Sequence, residues 1–343
     1  MGLALDTTLE TKVEVVTSGR LHLGLLDLSG VGPRVDGGIG LAIEEPSLRV
    51  VANHSSEQRL SCPPELETCC VRAVHKLTGS RLTERAAISV YSSMRSHVGF
   101  GSGTQCSLAI GCALSTLKHG TTPSIEDIAR LTGRGGTSGI GINVFDRGGF
   151  VVDGGHRWPE DKQELGPTGA FDEVAIAPLV ARLVFPDWGI LIAVPLGRRA
   201  TSGQAEVALF KSLVPMPIRE VEAACRTVLL GILPAIASSD FKAFGSAMEQ
   251  YRQLGMKKRQ IDLASSTFTS IREDMENFGA RGVTVSCWGP AVVGFFRSVS
   301  EAEIAKEKMT NRSPDLQIIC TLARNQGADI RTLKSDQAYH AAT

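Results

Sequence analysis

The glycine-rich segment Gly99-Phe-Gly-Ser-Gly-Thr-Gln105 is the strongest candidate for chemistry in the sequence. It lies between a predicted strand and a predicted helix, so its backbone N–H groups and the positive end of the helix can bind a phosphate. The hydroxyls of Ser102 and Thr104 can donate to that phosphate or reach a phosphate-bound Mg²⁺. The segment is neither a Walker A motif nor a GxGxxG fingerprint. A tight turn at positive φ is the structural alternative to a phosphate site.

A second glycine-rich segment, Gly133-Arg-Gly-Gly-Thr-Ser-Gly-Ile-Gly141, lies in the same half of the chain. Two such segments favour phosphate binding more than either does alone. Arg134 is a candidate anion ligand in this segment, with a solvated arginine as the alternative.

Charged residues also occur in the first predicted strand, at Arg20, His22 and Asp27, and continue to Arg34. Side chains alternate along a strand, so Arg20 and His22 share a face, and a polar face on an apolar strand needs a partner. One interpretation is an ion pair between Arg20 and Asp27. The other is a site for an anionic substrate chelated to Mg²⁺.

Trp288 lies in Ser286-Cys-Trp-Gly-Pro290, between two apolar strand runs. A tryptophan in this setting either packs a domain interface or stacks on an aromatic ligand. With only 3 tryptophans in the chain, Trp288 is the best-placed aromatic residue for stacking. His156, which follows Asp153-Gly-Gly, is a further candidate.

Composition limits the classes of partner. The chain has 343 residues, with 36 Lys+Arg against 36 Asp+Glu and 43% hydrophobic residues. This length is typical of two compact domains, and the balanced charge gives no general attraction to nucleic acid or to an anionic membrane. An anionic ligand must therefore be bound by a local site.

The 8 cysteines include no CxxC pair and no Cys/His group at zinc-finger spacing, so we expect buried thiols rather than a metal framework or redox motif. The N-terminal residues lack the basic and apolar regions of a signal peptide, and the apolar stretches are too short to span a bilayer. We expect a cytoplasmic protein with no membrane or nucleic-acid partner.

Hydrophobic periodicity and the positions of Gly and Pro predict the elements that carry these residues. The predicted strands are 13–28, 39–52, 86–92, 142–146, 149–153, 189–194, a pair within 282–297, and 316–322. The predicted helices are 64–78, 106–117, 124–133, 203–213, 218–236, 239–253, 259–278 and 300–310. Residues 154–182 are expected to form a long loop, and the stretch from about Asn325 a mobile tail.

The unit around Gly99 to Gln105 resembles the phosphate loop of the GHMP kinase superfamily. The strings GRLHLGLLDLSG, PRVDGGIGLAIE, GFGSGTQ, GRGGTSGIGINVFDRGGFVVDGG and SCWGP resemble one branch of it, the β-ribofuranosylaminobenzene 5'-phosphate synthases, over most of residues 14–300. One departure is Thr284-Val-Ser286-Cys287, where the family usually has Gly-Gln-Ser-Ser before Trp-Gly-Pro.

The resemblance implies a two-domain α/β (α+β) fold. Residues 1–185 would form an N-terminal domain like ribosomal protein S5 domain 2, and residues 186–325 a ferredoxin-like C-terminal domain, followed by a flexible tail at 326–343. It also implies a homodimer.

The implied reaction is not a kinase reaction. The branch joins 5-phosphoribosyl 1-pyrophosphate to 4-hydroxybenzoate or 4-aminobenzoate, releases pyrophosphate and CO₂, and leads toward tetrahydromethanopterin. Superfamily kinases often carry a general-base Asp after the second glycine segment, whereas 137–143 contains no acid. Loss of pyrophosphate needs charge neutralisation and a shielded pocket instead. A small-molecule kinase and a non-catalytic ligand-binding relative remain the alternatives.

The site residues are assigned on this basis, with Mg²⁺ as the cofactor. The catalytic candidates are Arg20, His22 and Asp27, and the metal-ligand candidates are Asp27 and Ser102. The substrate or phosphate candidates are Gly99, Gly101, Ser102, Gly103, Thr104, Gln105, Arg34, Arg134, Thr137, Ser138 and Trp288.

Overall fold

The computed structural model describes residues 11–78, 85–167, 175–197, 204–263 and 266–334. The strands in these ranges are β1 (Thr11–Asp27), β2 (Arg34–His54), β3 (Arg59–Ser61), β4 (Ala86–Ser92), β5 (Phe150–Asp153), β6 (His156–Arg157), β7 (Leu179–Leu183), β8 (Gly189–Pro195), β9 (Arg281–Val285), β10 (Val292–Phe296), β11 (Leu316–Thr321) and β12 (Asp329–Lys334).

The helices in the same ranges are α1 (Glu67–Thr78), α2 (Ser102–His119), α3 (Ile125–Thr132), α4 (Ile140–Arg147), α5 (Gln204–Leu213), α6 (Ile218–Thr227), α7 (Leu233–Ala237), α8 (Phe241–Tyr251), α9 (Gly255–Leu263), α10 (Ser266–Asn277) and α11 (Val299–Arg312). A π-helical turn, Val228–Ile232, joins α6 to α7.

The larger sheet is built on the long antiparallel pair of β1 and β2. Its main strand order is β12-β1-β2-β4-β3, and β5 and β6 also pair with β2. The register between β1 and β2 shifts near Arg20 and again near Gly24. Such bulges bend a strand and redirect its side chains, which brings the two halves of β1 into different surroundings.

Helix α2 packs against β1 and β2 and is buried along most of its length. It begins after Gly101 and ends at Gly120, and both glycines adopt left-handed backbone angles. Its residues are small and apolar on every side, which is typical of a helix inside a core. The first turn of this buried helix lies against the second glycine-rich segment, since a Cβ on Gly141 would be 3.0 Å from Cγ2 of Thr104.

The smaller sheet has the order β11-β8-β10-β9, with antiparallel neighbours. Numbered in chain order, these strands are arranged 4-1-3-2, with helices between the first and second strands and α11 between the third and fourth. This is the predicted ferredoxin-like topology. The sheet changes between β7 and β8, while the domain boundary at 185/186 stays a prediction.

Three element predictions are wrong. Residues 140–147 form helix α4 rather than a strand at 142–146, and Asn143, Asp146 and Arg147 share its less buried face. The apolar residues Ile140, Ile142 and Val144 alternate as they would in a strand, yet Asn143 N–H donates to the Gly139 carbonyl in a helical turn.

The chain after Asn325 is also more ordered than predicted. Strand β12 pairs with β1 from Asp329 opposite Val16 to Lys334 opposite Thr11. Three of its six residues are charged and it lies at an edge of the sheet, which explains why no apolar run marked it. The predicted flexible tail is therefore wrong for 329–334, and 335–343 lie outside the described residues. β6 and β7 likewise fall within the predicted loop 154–182. No helix in the described ranges is long and apolar enough to cross a membrane.

Candidate active site

The first glycine-rich segment turns the chain from the end of β4 into α2. Gly99 has φ +115°, and a Cβ there would lie 2.7 Å from the carbonyl oxygen of Ser286. Gly101 has φ +71°, and a Cβ there would lie 2.9 Å from Cζ of Arg20. Glycine is required at both positions, because a side chain would collide with these neighbours and because other residues rarely adopt these positive φ angles. The predicted turn at positive φ is present, and it carries the chain directly to the N-terminus of α2.

Arg20 on β1 is bound to this loop. Its Nη1 donates a 2.7 Å hydrogen bond to the carbonyl oxygen of Gly99, and its backbone N–H donates to the carbonyl of Phe100. Burial lowers the pKa of Arg20, while the neighbouring Cys287 opposes that shift. Arg20 does not form the ion pair with Asp27 that the sequence left open. A guanidinium with remaining donors therefore lies beside the start of α2.

His22, two residues along β1, contacts the second glycine-rich segment. Its Nε2 lies 3.1 Å from Oγ of Ser138, and that hydroxyl donates a 3.1 Å hydrogen bond to Oδ2 of Asp153. Because the Ser138 proton is used by Asp153, the Nε2 of His22 carries a hydrogen and its Nδ1 does not. Nδ1 is buried with no hydrogen-bond partner among the described residues.

Burial and neighbouring positive charges keep His22 neutral near pH 7. Burial, with Arg20 and Lys257 nearby, lowers the pKa of His22 well below its usual 6.5. Burial raises the pKa of Asp153 to about 6, although its hydrogen bonds from Gly155 N–H and Ser138 oppose that shift. Asp153 therefore carries the negative charge in the hydrogen-bonded series His22–Ser138–Asp153. The Nδ1 atom of His22 is left unprotonated.

A buried ionic cluster supports the second glycine-rich segment from behind. Oδ2 of Asp36 lies 2.7 Å from Nδ1 of His156 and 2.9 Å from Nζ of Lys162. The other nitrogen of His156 is 3.1 Å from the carbonyl of Gly135, and Lys162 also donates to the carbonyl of Gly166. All three side chains of the cluster are fully buried. His156 thus positions the loop rather than facing the pocket.

A pocket opens between these elements, with about 650 Å³ of space not filled by atoms, part of which is open solvent. Its walls in the described part of the chain are Arg20, His22, Leu25, Thr104, Gly135, Thr137, Ser138, Gly141, Pro167, Phe210, Gln260, Cys287 and Trp288. None of these is acidic. The Trp288 ring packs edge-on against Phe210 at a centroid distance of 6.4 Å, so one aromatic wall is fixed by another aromatic ring.

Two residues of α9 belong to this site and were missed in the sequence. Lys257 is buried beneath Cys287, its Nζ donates to the carbonyl of Val285 at 3.0 Å, and burial lowers its pKa to about 7. Gln260 lines the pocket and its Oε1 has no partner among the described residues. Both occur in the charged stretch Lys257-Lys258-Arg259-Gln260. Such a stretch is typical of a solvent-exposed helix face, so nothing in the sequence indicates that these two residues are buried beside a pocket.

Six of the predicted site residues line the pocket: Arg20, His22, Thr104, Thr137, Ser138 and Trp288. The glycines at 99, 101 and 103 shape the loop around Arg20 and the first turn of α2, where Ser102 is buried. The hydroxyl of Thr137 donates to the carbonyl of Gly166, so Thr137 also fixes the wall of the pocket.

Three other candidates form hydrogen bonds with other groups of the protein. Gln105 accepts from Thr17 and donates to the carbonyl of Gly141. Arg34 donates to the carbonyls of Gly154 and Gly155. Arg134 donates to Oγ of Ser107, and its Nη2 lies 3.6 Å from where a Cβ on Gly103 would be.

Asp27 lies at the end of β1, two residues beyond the pocket residue Leu25. Its Oδ1 accepts from the N–H and the hydroxyl of Ser29. Among the described residues, Asp27 does not belong to any group of three His, Cys, Asp or Glu side chains that could hold a metal ion, and the walls of the pocket offer no carboxylate. A single carboxylate does not make a resident Mg²⁺ site, because Mg²⁺ bound by one carboxylate depends on substrate phosphates and water for its other ligands.

Comparison with known proteins decides the family. The chain is 36% identical to the beta-ribofuranosylphenol 5'-phosphate synthase of Archaeoglobus fulgidus, over 92% of this chain and 98% of the relative. It is 33% identical to the protein of the same name from Methanocaldococcus jannaschii, over 92% and 99%. The chain belongs to the beta-ribofuranosylphenol 5'-phosphate synthase family. The family predicted from the sequence is confirmed, and with it an enzyme of the pentosyltransferase class.

The fold of this synthase family member is that of the GHMP kinases. Residues 232–315 match the family described as GHMP kinases C terminal. Homoserine kinase from Cytophaga hutchinsonii has a TM-score of 0.65 at 14% identity, covering 96% of this chain and 100% of its own. L. major mevalonate kinase, in complex with R-mevalonate, has a TM-score of 0.67 at 14% identity, covering 90% and 96%. These likenesses confirm the predicted fold.

Proposed function

We propose that this chain transfers the phosphoribosyl group of 5-phosphoribosyl 1-pyrophosphate to 4-hydroxybenzoate or 4-aminobenzoate, with loss of CO₂ and pyrophosphate. The observation that carries the proposal is the similarity to proteins named beta-ribofuranosylphenol 5'-phosphate synthase, which are 33–36% identical over 91–92% of this chain. The pocket at the start of α2 supports it, because its described walls include no acidic side chain, the substrates are anions and the reaction requires no carboxylate base.

The reaction balances without a net proton transfer. The bond between C1 of ribose and the pyrophosphate oxygen breaks, and its electron pair leaves with pyrophosphate. The ring carbon that carries the carboxylate forms the new bond to C1. The bond to the carboxylate then breaks as CO₂, and its electrons restore the aromatic ring.

The phosphoribosyl donor is assigned to the N-terminal end of α2. Arg20 supplies a fixed positive charge there, and the first N–H groups of the helix supply donors. Charge neutralisation on a departing pyrophosphate is the main catalytic demand of this step, and preorganised donors meet it with little reorganisation. Ser102, Thr104, Thr137 and Arg134 are the proposed additional phosphate contacts.

The aromatic acceptor is assigned to the wall formed by Trp288. A flat apolar ring stacks well on an indole that is itself held by Phe210. His22, Ser138 and Gln260 supply the polar groups of the same pocket. A hydrogen bond from the para substituent to an unprotonated imidazole would increase electron density in the ring, and the low pKa of His22 keeps that imidazole neutral.

Mg²⁺ is proposed to arrive with the donor, bound to its pyrophosphate. The described residues do not form a resident site for this ion, so the diphosphate and water would supply most of its ligands. Asp27 is the proposed carboxylate ligand, and its Oδ2 accepts no hydrogen bond from the described residues. It lies seven residues beyond Arg20 on β1, about 20 Å along an extended strand, so this contact requires the donor complex to extend along β1 toward Asp27.

The proposal also covers the setting of the enzyme. We place the reaction early in tetrahydromethanopterin biosynthesis, in the cytoplasm, and in a homodimer. Light scattering of the purified protein tests the dimer, and loss of the cofactor from cells lacking the gene tests the pathway.

One assay tests the reaction. The protein is incubated with Mg²⁺, 5-phosphoribosyl 1-pyrophosphate and carboxyl-labelled 4-hydroxybenzoate or 4-aminobenzoate, and labelled CO₂ and pyrophosphate are measured. We expect the two products in equal amounts, and a loss of both in Arg20→Met. ADP formation from ATP in place of these products would support the kinase alternative, and substrate binding without any product would support the ligand-binding alternative.

A further inference from the structure

Three thiols from two helices meet behind the first glycine-rich segment. Cys69 and Cys70 lie on α1 and Cys106 lies on α2, and their sulfur atoms are all within 4.8 Å of one another. The Sγ atoms of Cys70 and Cys106 are 3.2 Å apart. The sequence did not reveal this group, because Cys106 is far along the chain from the other two and no CxxC spacing marks it.

We propose that Cys69, Cys70 and Cys106 bind a thiophilic d¹⁰ metal ion, Zn²⁺ or Cu⁺. Thiolates are the ligands that these two ions prefer. A zinc–sulfur bond is about 2.3 Å, so two thiolates on one tetrahedral ion lie about 3.8 Å apart and two on a planar three-coordinate ion about 4.0 Å. The observed separations, from 3.2 Å to at most 4.8 Å, bracket these values.

The charge around the cluster suits bound thiolates. Three thiolates on a divalent ion carry one net negative charge, and on a monovalent ion two. Arg134 is close enough to interact electrostatically with Cys69 and Cys106. Its guanidinium donates to the neutral Oγ of Ser107 and pairs with no carboxylate among the described residues, so its charge can balance the complex in addition to its proposed phosphate contact.

The cluster also has a route of entry. Cys70 and Cys106 are buried, whereas Cys69 is half-buried and its thiol donates to the carbonyl of Leu66 at 3.1 Å. An arriving ion can therefore meet Cys69 first and displace a weak hydrogen bond. Bound there, it would cross-link α1 to the first turns of α2, which carry the phosphate loop.

The test is a titration of the full-length protein, isolated anaerobically with chelator and then freed of chelator, with Zn²⁺ and separately with Cu⁺. We expect one tightly bound equivalent, a rise in melting temperature, and, with Co²⁺ as a probe, a sulfur-to-cobalt charge-transfer band. Cys106→Ser should abolish all three signals. The matched control is Cys112→Ser, a buried cysteine on the same helix outside the cluster, which should retain them.

Cys69→Ser is the second variant, because the half-buried position tolerates serine even if Cys106→Ser does not fold. It should weaken binding at least tenfold. Binding of less than one equivalent, unchanged binding in Cys69→Ser, or equal loss in Cys112→Ser would overturn the proposal. A Cys70–Cys106 disulfide in the anaerobically isolated protein would overturn it as well.

Discussion

Arg20 and Gly101 fit together so closely that a methyl group does not fit between them. A Cβ on Gly101 would lie 2.9 Å from Cζ and 3.0 Å from Nε of Arg20. The same guanidinium is bound to the Gly99 carbonyl. The position of the proposed pyrophosphate-binding charge thus depends on a residue without a side chain.

Gly101→Ala is expected to displace Arg20 and to lower kcat/KM for the phosphoribosyl donor by about tenfold or more, since misplaced charge costs transition-state stabilisation. The control is Gly120→Ala at the other end of α2. Gly120 has φ +72° and no atom within 4 Å, so it shares the backbone strain but not the collision. Equal losses in both variants, measured by steady-state kinetics and thermal melting, would contradict the role of Arg20.

Trp288→Leu is expected to raise KM for the benzoate acceptor by about two- to tenfold, because aromatic stacking contributes about 0.5–1.5 kcal/mol. KM for the phosphoribosyl donor should change little. Trp158→Leu serves as the control, because Trp158 packs near Gly30 and does not line the pocket. A rise in both KM values for Trp288→Leu would indicate a general disturbance of the site instead.

Lys257 makes stability depend on pH. Its folded-state pKa of about 7 lies below the usual 10.5, so between these values the unfolded chain binds more protons and the free energy of unfolding rises with pH. At 1.36 kcal/mol per pKa unit the rise amounts to roughly 5 kcal/mol at most. Lys257→Met should remove it, whereas Lys258→Met, an exposed neighbour paired with Asp262, should keep it. Denaturant unfolding at pH 7 and pH 9.5 measures the difference, and a persisting rise in Lys257→Met would refute the assignment.

Asp27→Asn separates a catalytic role from a structural one. Asparagine keeps the Oδ1 acceptor that Ser29 uses, so the free energy of unfolding should change by no more than about 1 kcal/mol. Turnover should fall by about tenfold or more if the carboxylate contacts the substrate-bound Mg²⁺. Unchanged turnover, at saturating Mg²⁺ and substrates, would remove Asp27 from the site.

The parts of the site that follow from local pattern could be predicted from the sequence. The strand, the glycine segment Gly99 to Gln105 and helix α2 are neighbours in the chain, so glycine positions and periodicity were enough. Alternation on β1 placed Arg20 and His22 together, and both line the pocket. Trp288 was identified from its position at the end of a strand.

The remaining parts depend on contacts between distant segments. Asp153 reaches Ser138 because β5 pairs with β2, and Lys257 is buried because α9 packs beneath the turn at Cys287. Arg34 is charged and near the candidate site in sequence, yet it binds two backbone carbonyls. Residue type and spacing do not distinguish a charge that meets a ligand from one that satisfies a buried loop.

Ser286 links the smaller sheet to the larger one, which limits how segments of this chain can be exchanged with relatives. Its hydroxyl accepts from the backbone N–H of His22 and donates to the carbonyl of Gly99, so one side chain that follows β9 of the smaller sheet contacts both β1 and the first glycine-rich segment. A chimera that exchanges the C-terminal half between relatives will assemble a working pocket only if the turn from Ser286 to Pro290 is inherited together with the loop it touches. The turn from Ser286 to Pro290 and the segment Gly99 to Gln105 should therefore always be exchanged together.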